Sequence, residues 1–374
     1  MFINKLRIQN YRCFQDKTFL FEKSFVLIEG GNGSGKTTIL EALHYGCFLK
    51  SFRTNQSKEL VSFDQKHFFI QVHFDEKQGD HNQVQIGATF ENGQKKQLVK
   101  FNKKTIKSYR DLIAHYRIVS LAEDDMQLVQ GAPEHRRYFL NQMLVLFEPD
   151  QLATLRQYRQ VLEHRNQMLI QSQRGKHLEI WTKQLWELSL SIQNKRVAYL
   201  QELEEKINML LRNHFPSLNL EIAFCYRPKE IKPPSNTTET FDLFWQVYKE
   251  KKLDDELRWR RSLFGAHLDD FSIIFQEKKA RHFASRGQQK LVLFLIKIAL
   301  AQQLEAKGMQ ICLLLDDFLT DFDNGRLADC LSLLTKLPCQ VFVTCPLKSI
   351  ILKHLPETPT RSNKTSKIQV IKLP

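Results

Sequence analysis

One stretch near the start of the chain constrains the fold more than any other part of the sequence. It matches the phosphate-binding pattern G-x-x-x-x-G-K-[ST] in full. An apolar, β-prone run at residues 24–28 precedes it, and a helical pattern begins at Thr38. A strand, a glycine-rich loop and a helix in this order predict a P-loop, in which backbone N–H groups and the positive end of the helix dipole face phosphate oxygens.

The residue types in this loop predict how a nucleoside triphosphate would be held. We expect Lys36 to reach the β- and γ-phosphates and to act in catalysis, and the Thr37 hydroxyl to ligate Mg²⁺. A glycine-rich turn without chemical importance is the alternative, which the complete pattern in this context disfavours. The residues of the loop predicted to bind ATP are Gly30, Gly31, Asn32, Gly33, Ser34, Gly35, Lys36, Thr37 and Thr38.

A second constellation completes the predicted ATP site. Residues 311–315 form an apolar run that is followed by Asp316 and Asp317, which is the arrangement of a Walker B strand. We expect Asp316 to hold Mg²⁺ through water, together with Thr37, and Asp317 to orient or deprotonate the attacking water. The alternative is an ordinary buried strand with acidic residues at its end.

A third stretch opens a helix that runs to about residue 305. Ser285 is a cap-like residue, Gly287 leaves the helix start open and Gln288 adds an amide, so this helix start is a second candidate anion site. One chain cannot easily direct both helix starts at one phosphate, whereas two chains facing head to tail can. The alternative is a plain helix cap.

The composition indicates a class of partner. Fifty-five Lys and Arg residues against 41 Asp and Glu leave a formal charge of +14, which favours a polyanion, nucleic acid first and an anionic membrane second. A merely basic soluble protein is the alternative. The seven cysteines form no C-x-x-C pair and several lie in apolar runs, so we expect reduced core residues of a cytoplasmic protein. Since no apolar run is long enough to span a bilayer, we expect neither export nor membrane insertion.

The periodicity of the sequence changes along the chain. Residues 1–21 and 67–104 alternate as antiparallel strands, whereas residues 123–214 show helical spacing that predicts three helices folded back on one another. The pattern is then mixed, with an amphipathic helix expected over residues 241–261. We therefore predict an α/β fold, in which an ATPase head with a mixed sheet and an antiparallel β subdomain carries an inserted α-helical arm. The predicted domains are residues 1–122 and 215–374 for the head and residues 123–214 for the arm.

Several segments have two open interpretations. Arg12 lies near the nucleotide or is an exposed cation on a turn, and residues 50–54 contact phosphate or form a solvated helix end. The lysine-rich residues 95–96 and 100–107 form a face that follows a nucleic-acid backbone, or they protect a sheet edge. The polar residues 356–367 are expected to be mobile.

The order of these motifs resembles that in the ABC-type P-loop ATPase heads of SMC-like DNA-repair proteins. Within that group the chain is similar to the RecF family, and residues 50–54, 128–140 and 285–290 carry the resemblance. The sequence assigns no Q-loop glutamine, and residues 341–345 carry no switch histidine. The chain departs from the family pattern at Ala122, Asn141, Ala266 and Leu268 and in residues 320–323.

The resemblance implies an ATP-dependent DNA-binding protein of recombinational repair and replication-fork maintenance, linked to the SOS response. Two heads would form a homodimer that holds two ATP molecules, each between Walker A of one chain and residues 285–289 of the other. It further implies binding to single-stranded, gapped and duplex DNA, a weak DNA-stimulated ATPase that acts as a switch, and RecR and RecO as partners in loading RecA. A nucleotide-binding subunit of an ABC transporter and a P-loop kinase are the alternative functions.

Overall fold

The structure, a computed structural model, describes the greater part of the chain and divides into two compact units. Unit 1 comprises Met1–Met126, Lys206–Leu220 and Ser285–Pro374, and unit 2 comprises Gln127–Glu205 and Glu221–Ala284. The division into head and arm stays a prediction. Unit 2 combines most of the predicted arm with residues 221–284, which the prediction assigns to the head. The described residues are 1–76, 79–91, 94–106, 108–229, 240–346, 351–355 and 368–374. The segment 356–367, predicted to be mobile, lies outside them.

Strands and helices alternate in the first and last thirds of the chain, and helices dominate the middle. The strands are β1 Phe2–Tyr11, β2 Phe14–Leu20, β3 Phe25–Gly30, β4 His67–Asp75, β5 His81–Glu91, β6 Gln94–Phe101, β7 Lys104–Thr105, β8 Arg117–Leu121, β9 Ile222–Arg227, β10 Asp270–Phe275, β11 Lys278–Lys279, β12 Ile311–Leu315, β13 Gln340–Pro346 and β14 Ile368–Lys372. The α-helices are α1 Lys36–Phe48, α2 Tyr109–His115, α3 Gln127–Gln130, α4 Pro133–Phe147, α5 Gln151–Ile170, α6 Lys176–His214, α7 Phe241–Lys251, α8 Leu253–Trp259, α9 Ala280–Phe283, α10 Arg286–Ala306, α11 Asn324–Thr335 and α12 Ile351–His354.

A parallel sheet of order β14-β3-β13-β12-β8 forms the centre of unit 1. Every residue of β3 and β12 is buried, as continuous apolar runs require in a parallel sheet that is covered on both faces. Helices α1 and α10 pack against its strands. Because the carboxyl ends of parallel strands meet at one edge, the residues that follow β3 and β12 are brought together there.

An antiparallel sheet of order β2-β1-β4-β5-β6-β7 forms the second layer of unit 1. Burial alternates along β4 and β5, which places one face of this sheet against the core. Within the predicted lysine-rich face, Lys95, Lys96 and Lys103 are all exposed, and the Lys95 ammonium also donates hydrogen bonds to Tyr45 and Ser57. Residue 107 of this segment lies outside the described part of the chain.

Unit 2 combines helices α3–α5, α7–α9 and most of α6 with a small antiparallel sheet of order β11-β10-β9. A single α6 of 39 residues covers the stretch in which we predicted two of three arm helices. The predicted helix over residues 241–261 is divided at Lys252 into α7 and α8. No helix in the described ranges has the length and apolar character needed to cross a membrane.

Candidate nucleotide-binding site

The phosphate-binding loop connects the end of β3 to the start of α1. Gly35 forms the N-cap of α1 in the left-handed region, with φ 99°, and Gly33 also has a positive φ of 82°. A Cβ added to Gly35 would lie 2.4 Å from the Phe14 ring. Gly35 therefore meets two demands that only glycine satisfies, a left-handed backbone and a close approach of another side chain.

Lys36 is the first residue of α1 and is only 8% exposed. Its ammonium donates hydrogen bonds to the carbonyl oxygens of Gly30 at 2.8 Å and Gly31 at 2.9 Å. The charge is thus held inside the loop, at the residues where β3 ends. This is the place that the sequence pattern predicts for the lysine of a P-loop.

Thr37 and Asp316, the two predicted ligands of Mg²⁺, contact each other directly. The Thr37 hydroxyl donates a hydrogen bond to Asp316 Oδ1 at 3.0 Å. They meet because β3 and β12 are parallel strands separated only by β13, so that the backbone leaves the sheet at the same edge after each of these two strands. The structure therefore brings the Walker A and Walker B residues together within one chain.

Thr344 also contacts Asp316 and Asp317, and the sequence did not predict a role for it. Its hydroxyl donates to Asp316 Oδ1 at 2.9 Å and accepts the backbone N–H of Asp317 at 2.7 Å. Asp317 has a left-handed backbone, with φ 49°, which turns the chain directly after Asp316. Thr344 lies on β13, the strand expected to carry a switch histidine, but a threonine in an apolar strand gives no signal of its role.

The electrostatic setting of Asp316 favours a cation nearby. Burial raises the pKa of its carboxyl above the ordinary value, and hydrogen bonds from Thr344 and Thr37 oppose that shift. The negative charge of Asp317 also raises the pKa, whereas the positive charge of Arg53 lowers it. A divalent cation would stabilise the ionised carboxylate in the same way as these hydrogen bonds, but more strongly.

A cleft of about 470 Å³ opens beside Thr37 and Asp316. Arg53, from the basic segment 50–54, reaches this cleft and also lies 3.9 Å from Glu41 of α1. Arg12 makes a two-pronged ion pair with the same carboxylate at 2.8 and 3.0 Å and is not among the residues that line the cleft. The charged side chains on the cleft walls are Arg53, Glu123, Asp124, Arg286, Lys290, Asp316 and Asp317.

The predicted signature residues form a complete helix cap at the start of α10. The Ser285 hydroxyl accepts the backbone N–H of Gln288, and the Gln288 side chain accepts the backbone N–H of Ser285. Ser285 is exposed, and neither it nor Gly287 nor Gln288 lines the cleft. The structure thus brings Lys36, Thr37, Asp316 and Asp317 together and leaves the helix cap outside this group.

Glu123 links the start of α10 to the cleft wall and was not identified from the sequence. Its carboxylate pairs with Arg286 at 2.7 Å and with Lys290 at 2.8 Å. Lys290 is nearly inaccessible and its ammonium lies 5.0 Å from the centre of the Phe318 ring. The start of α10 therefore has two cations on the side of the cleft, Arg286 and Lys290, while the cap residue Ser285 is exposed and does not line the cleft.

The residues of this site suit a magnesium-bound triphosphate. The Ser34 hydroxyl is buried and has no hydrogen-bond partner among the described residues, and a Cβ on Gly30 would lie 2.4 Å from it. The Ser34 hydroxyl is therefore a donor without a partner in the part of the chain that the structure describes, and it lies so close to residue 30 that only glycine fits there. One hydroxyl and one carboxylate, from Thr37 and Asp316, are the small donor set that Mg²⁺ uses when phosphates supply further oxygens. The described residues contain no cluster of three His, Cys, Asp or Glu side chains that could hold a metal by itself.

Known proteins are similar to this chain. Residues 5–215 match the AAA domain family. The DNA replication and repair protein RecF of Clostridium acetobutylicum is 30% identical to this chain over 358 residues, which cover 95% of both sequences. The chain belongs to the RecF family.

Solved structures place this RecF-family chain among the P-loop ATPase heads. The recombination mediator protein RecF-ATPrS of the RecFOR pathway is 25% identical, with a TM-score of 0.79 and coverage of 93% of both chains. The Smc head domain of Pyrococcus furiosus shares the fold at 13% identity, with a TM-score of 0.55 and coverage of 95% of this chain and 92% of the other. The predicted fold, an α/β P-loop ATPase head of the ABC type, is confirmed.

Proposed function

We propose that this chain is an ATP-dependent DNA-binding protein of recombinational repair, in which ATP acts as a switch. One observation carries the proposal: the Thr37 hydroxyl meets Asp316, so that the two halves of an ATP site are assembled in one chain. Membership of the RecF family and the likeness to RecF-ATPrS, a recombination mediator of the RecFOR pathway, support the biological role.

Each site residue has a proposed role that follows from its position. Lys36 neutralises the β- and γ-phosphates, and the amides of the loop residues 30–38 hold the phosphate oxygens. Thr37 and Asp316 hold Mg²⁺, which supplies positive charge to the phosphate oxygens during phosphoryl transfer. Asp317 orients the attacking water and accepts its proton.

The signature residues act on the nucleotide of a second copy. Ser285, Gly287 and Gln288 are preorganised as a helix cap, yet they do not line the cleft of their own chain. A helix start with free amides is an anion site, so in a head-to-tail homodimer it would face the γ-phosphate held by the partner. Hydrolysis would then remove the group that both chains hold, which makes the dimer a switch with slow turnover.

The proposed polymer partner is DNA, in single-stranded, gapped or duplex form. The formal charge of +14 supports binding through phosphates, which depends steeply on salt and not on sequence. By family resemblance, RecR and RecO are the proposed protein partners, and loading of RecA is the proposed outcome. The proposed location is the cytoplasm.

The test is analytical ultracentrifugation of the full chain with and without Mg-ATP, followed by addition of DNA. We expect dimers only with ATP, loss of dimers in Lys36→Ala, and loss of dimers with retained single-chain ATP binding in Ser285→Arg. A Lys36→Arg variant is expected to bind ATP but to hydrolyse it poorly, since the charge stays while its geometry changes.

The controls separate a switch from an ordinary ATP-binding protein. If Ser285→Arg keeps both dimerisation and hydrolysis, the proposal that two copies share each ATP site is wrong. If the wild-type chain binds no DNA at low ionic strength, the repair function is wrong even where ATP binds.

A further inference from the structure

We propose that residues 258–261 of unit 2 form a binding site for single-stranded polynucleotide, in which Trp259 stacks on a base and the neighbouring arginines contact phosphates. We call this group the RWRR turn: Arg258, Trp259, Arg260 and Arg261. The inference rests on the proposed function, because it names a surface through which that function would be exerted.

The first observation is an exposed aromatic ring beside a guanidinium group. Trp259 is 62% exposed at the end of α8, although large aromatic side chains are usually buried. The Arg261 guanidinium lies 5.9 Å from the centre of the indole ring. Aromatic rings and guanidinium planes are the two kinds of side chain on which bases of single strands stack.

The second observation is a group of three exposed arginines without a carboxylate partner in the described ranges. Arg258, Arg260 and Arg261 are exposed, and within the described residues none of them forms an ion pair with a carboxylate. One of the nearby acidic groups, Asp254, is neutralised by Arg174 of the α5–α6 turn at 2.8 Å. Three such arginines in four residues are suited to a series of phosphates.

The third observation is the rigid base of the RWRR turn. Arg260 has a left-handed backbone, with φ 54°, and its N–H donates to the Glu256 carbonyl oxygen. Glu256 is fully buried, pairs with the buried Arg165 at 2.5 Å and accepts the backbone N–H of Leu263 at 2.6 Å. A turn fixed in this way holds the backbone at Trp259 in place before a ligand arrives, which lowers the entropy cost of binding.

The composition of the surface favours a polynucleotide over a protein partner. Trp259 is the only large apolar side chain that is exposed within residues 253–263, whereas protein-docking sites present contiguous apolar patches. A single strand is favoured over a duplex, because only unpaired bases expose the ring faces that an indole can stack on.

The experiment measures binding of the full chain to fluorescein-labelled oligo(dT) and to a blunt hairpin duplex. We expect Trp259→Ala to weaken oligo(dT) binding roughly 5- to 100-fold and to leave duplex binding unchanged. Trp259→Phe keeps a ring and should lose less. Arg258→Ala and Arg261→Ala should each reduce the salt slope of oligo(dT) binding by about 0.7.

A matched control is Phe63→Ala, because Phe63 is 92% exposed in unit 1 and lies outside the RWRR turn. It should leave oligo(dT) binding unchanged. The tryptophan emission of the wild type should be quenched by oligo(dT), and this quenching should be lost in Trp259→Phe.

The outcomes distinguish the two proposals. If the wild type binds oligo(dT) and Trp259→Ala binds it equally well, the RWRR turn is not the site, while the proposed function stands. If the wild type binds neither oligo(dT) nor the hairpin duplex, the proposed function itself fails. Quenching by polyglutamate but not by oligo(dT) would indicate an acidic protein partner and overturn the inference.

Discussion

The Thr37 hydroxyl donates to Asp316 at 3.0 Å although 279 positions separate the two residues in sequence. The contact exists because one residue follows β3 and the other follows β12, two parallel strands of one sheet. An ATP site built in this way depends on the sheet. Substitutions of the residues that make its hydrogen bonds and close contacts therefore test it directly.

We predict that Thr344→Val slows ATP hydrolysis about 10- to 100-fold with a small effect on ATP affinity. Valine keeps the shape of threonine but removes both the donor to Asp316 and the acceptor for the Asp317 N–H, and each lost partner costs about 1–3 kcal/mol at a buried polar group. Phosphate release at saturating ATP measures the effect. Thr344→Ser keeps the hydroxyl and should retain most activity, so equal rates in all three proteins would contradict the assigned role.

We predict that Gly35→Ala lowers ATP affinity more than tenfold and also lowers the melting temperature. Its Cβ would lie 2.4 Å from the Phe14 ring, and its φ of 99° is strained for alanine. The matched control is Gly33→Ala, where φ is also positive but no atom lies within 4 Å of the added Cβ. Titration with a fluorescent ATP analogue compares them, and an equal loss in both variants would show that the Phe14 contact is unimportant.

The sequence predicted the P-loop, the Walker B strand and the helix cap because each is encoded locally. The apolar run at residues 311–315 coincides with β12, and the predicted start of the signature helix is the observed cap at Ser285. Such features depend on neighbours only a few residues away. Local patterns therefore located the candidate site residues.

Features that depend on tertiary contacts were not predictable from the sequence. Thr344 and Glu123 carry no local signal, since their partners lie on other elements of unit 1. Helical spacing also could not tell whether two apolar runs belong to one helix, and α6 turned out to be continuous over 39 residues. Conversely, helical spacing indicated one helix over residues 241–261, whereas the structure has two helices, α7 and α8, separated at Lys252.

We predict that Arg165→Met destabilises unit 2 by about 3–5 kcal/mol, because it leaves the fully buried Glu256 carboxylate without its cation. Replacing both partners, in Arg165→Met with Glu256→Gln, should cost less than the sum of the single changes. Urea unfolding followed by tryptophan emission measures this in unit 2, which holds all four tryptophans: Trp181, Trp186, Trp245 and Trp259. Strict additivity of the two changes would show that the pair does not act as a unit.

We predict that His44 makes the folded state sensitive to acid. His44 is 2% exposed on α1, and burial, with a smaller effect from the charge of Lys297, lowers its pKa to about 3. The folded pKa is below the unfolded value of about 6.5, so the neutral ring is favoured in the folded state. Its contribution to stability is therefore complete above about pH 6.5 and is lost as the pH falls toward 3, by up to about 1.4 kcal/mol per pH unit.

The variant His44→Leu removes this titration at similar volume, so its stability should fall less than that of the wild type between pH 7 and about pH 5. Hydrogen exchange of the α1 amides at the two pH values measures the difference within unit 1. His81 is the control of opposite sign: its hydrogen bond to Asp75 raises its pKa, so its contribution is present at low pH and is lost as the pH rises. His81→Leu should therefore make the loss on acidification larger, and the same response in both variants would rule out burial of His44 as the cause.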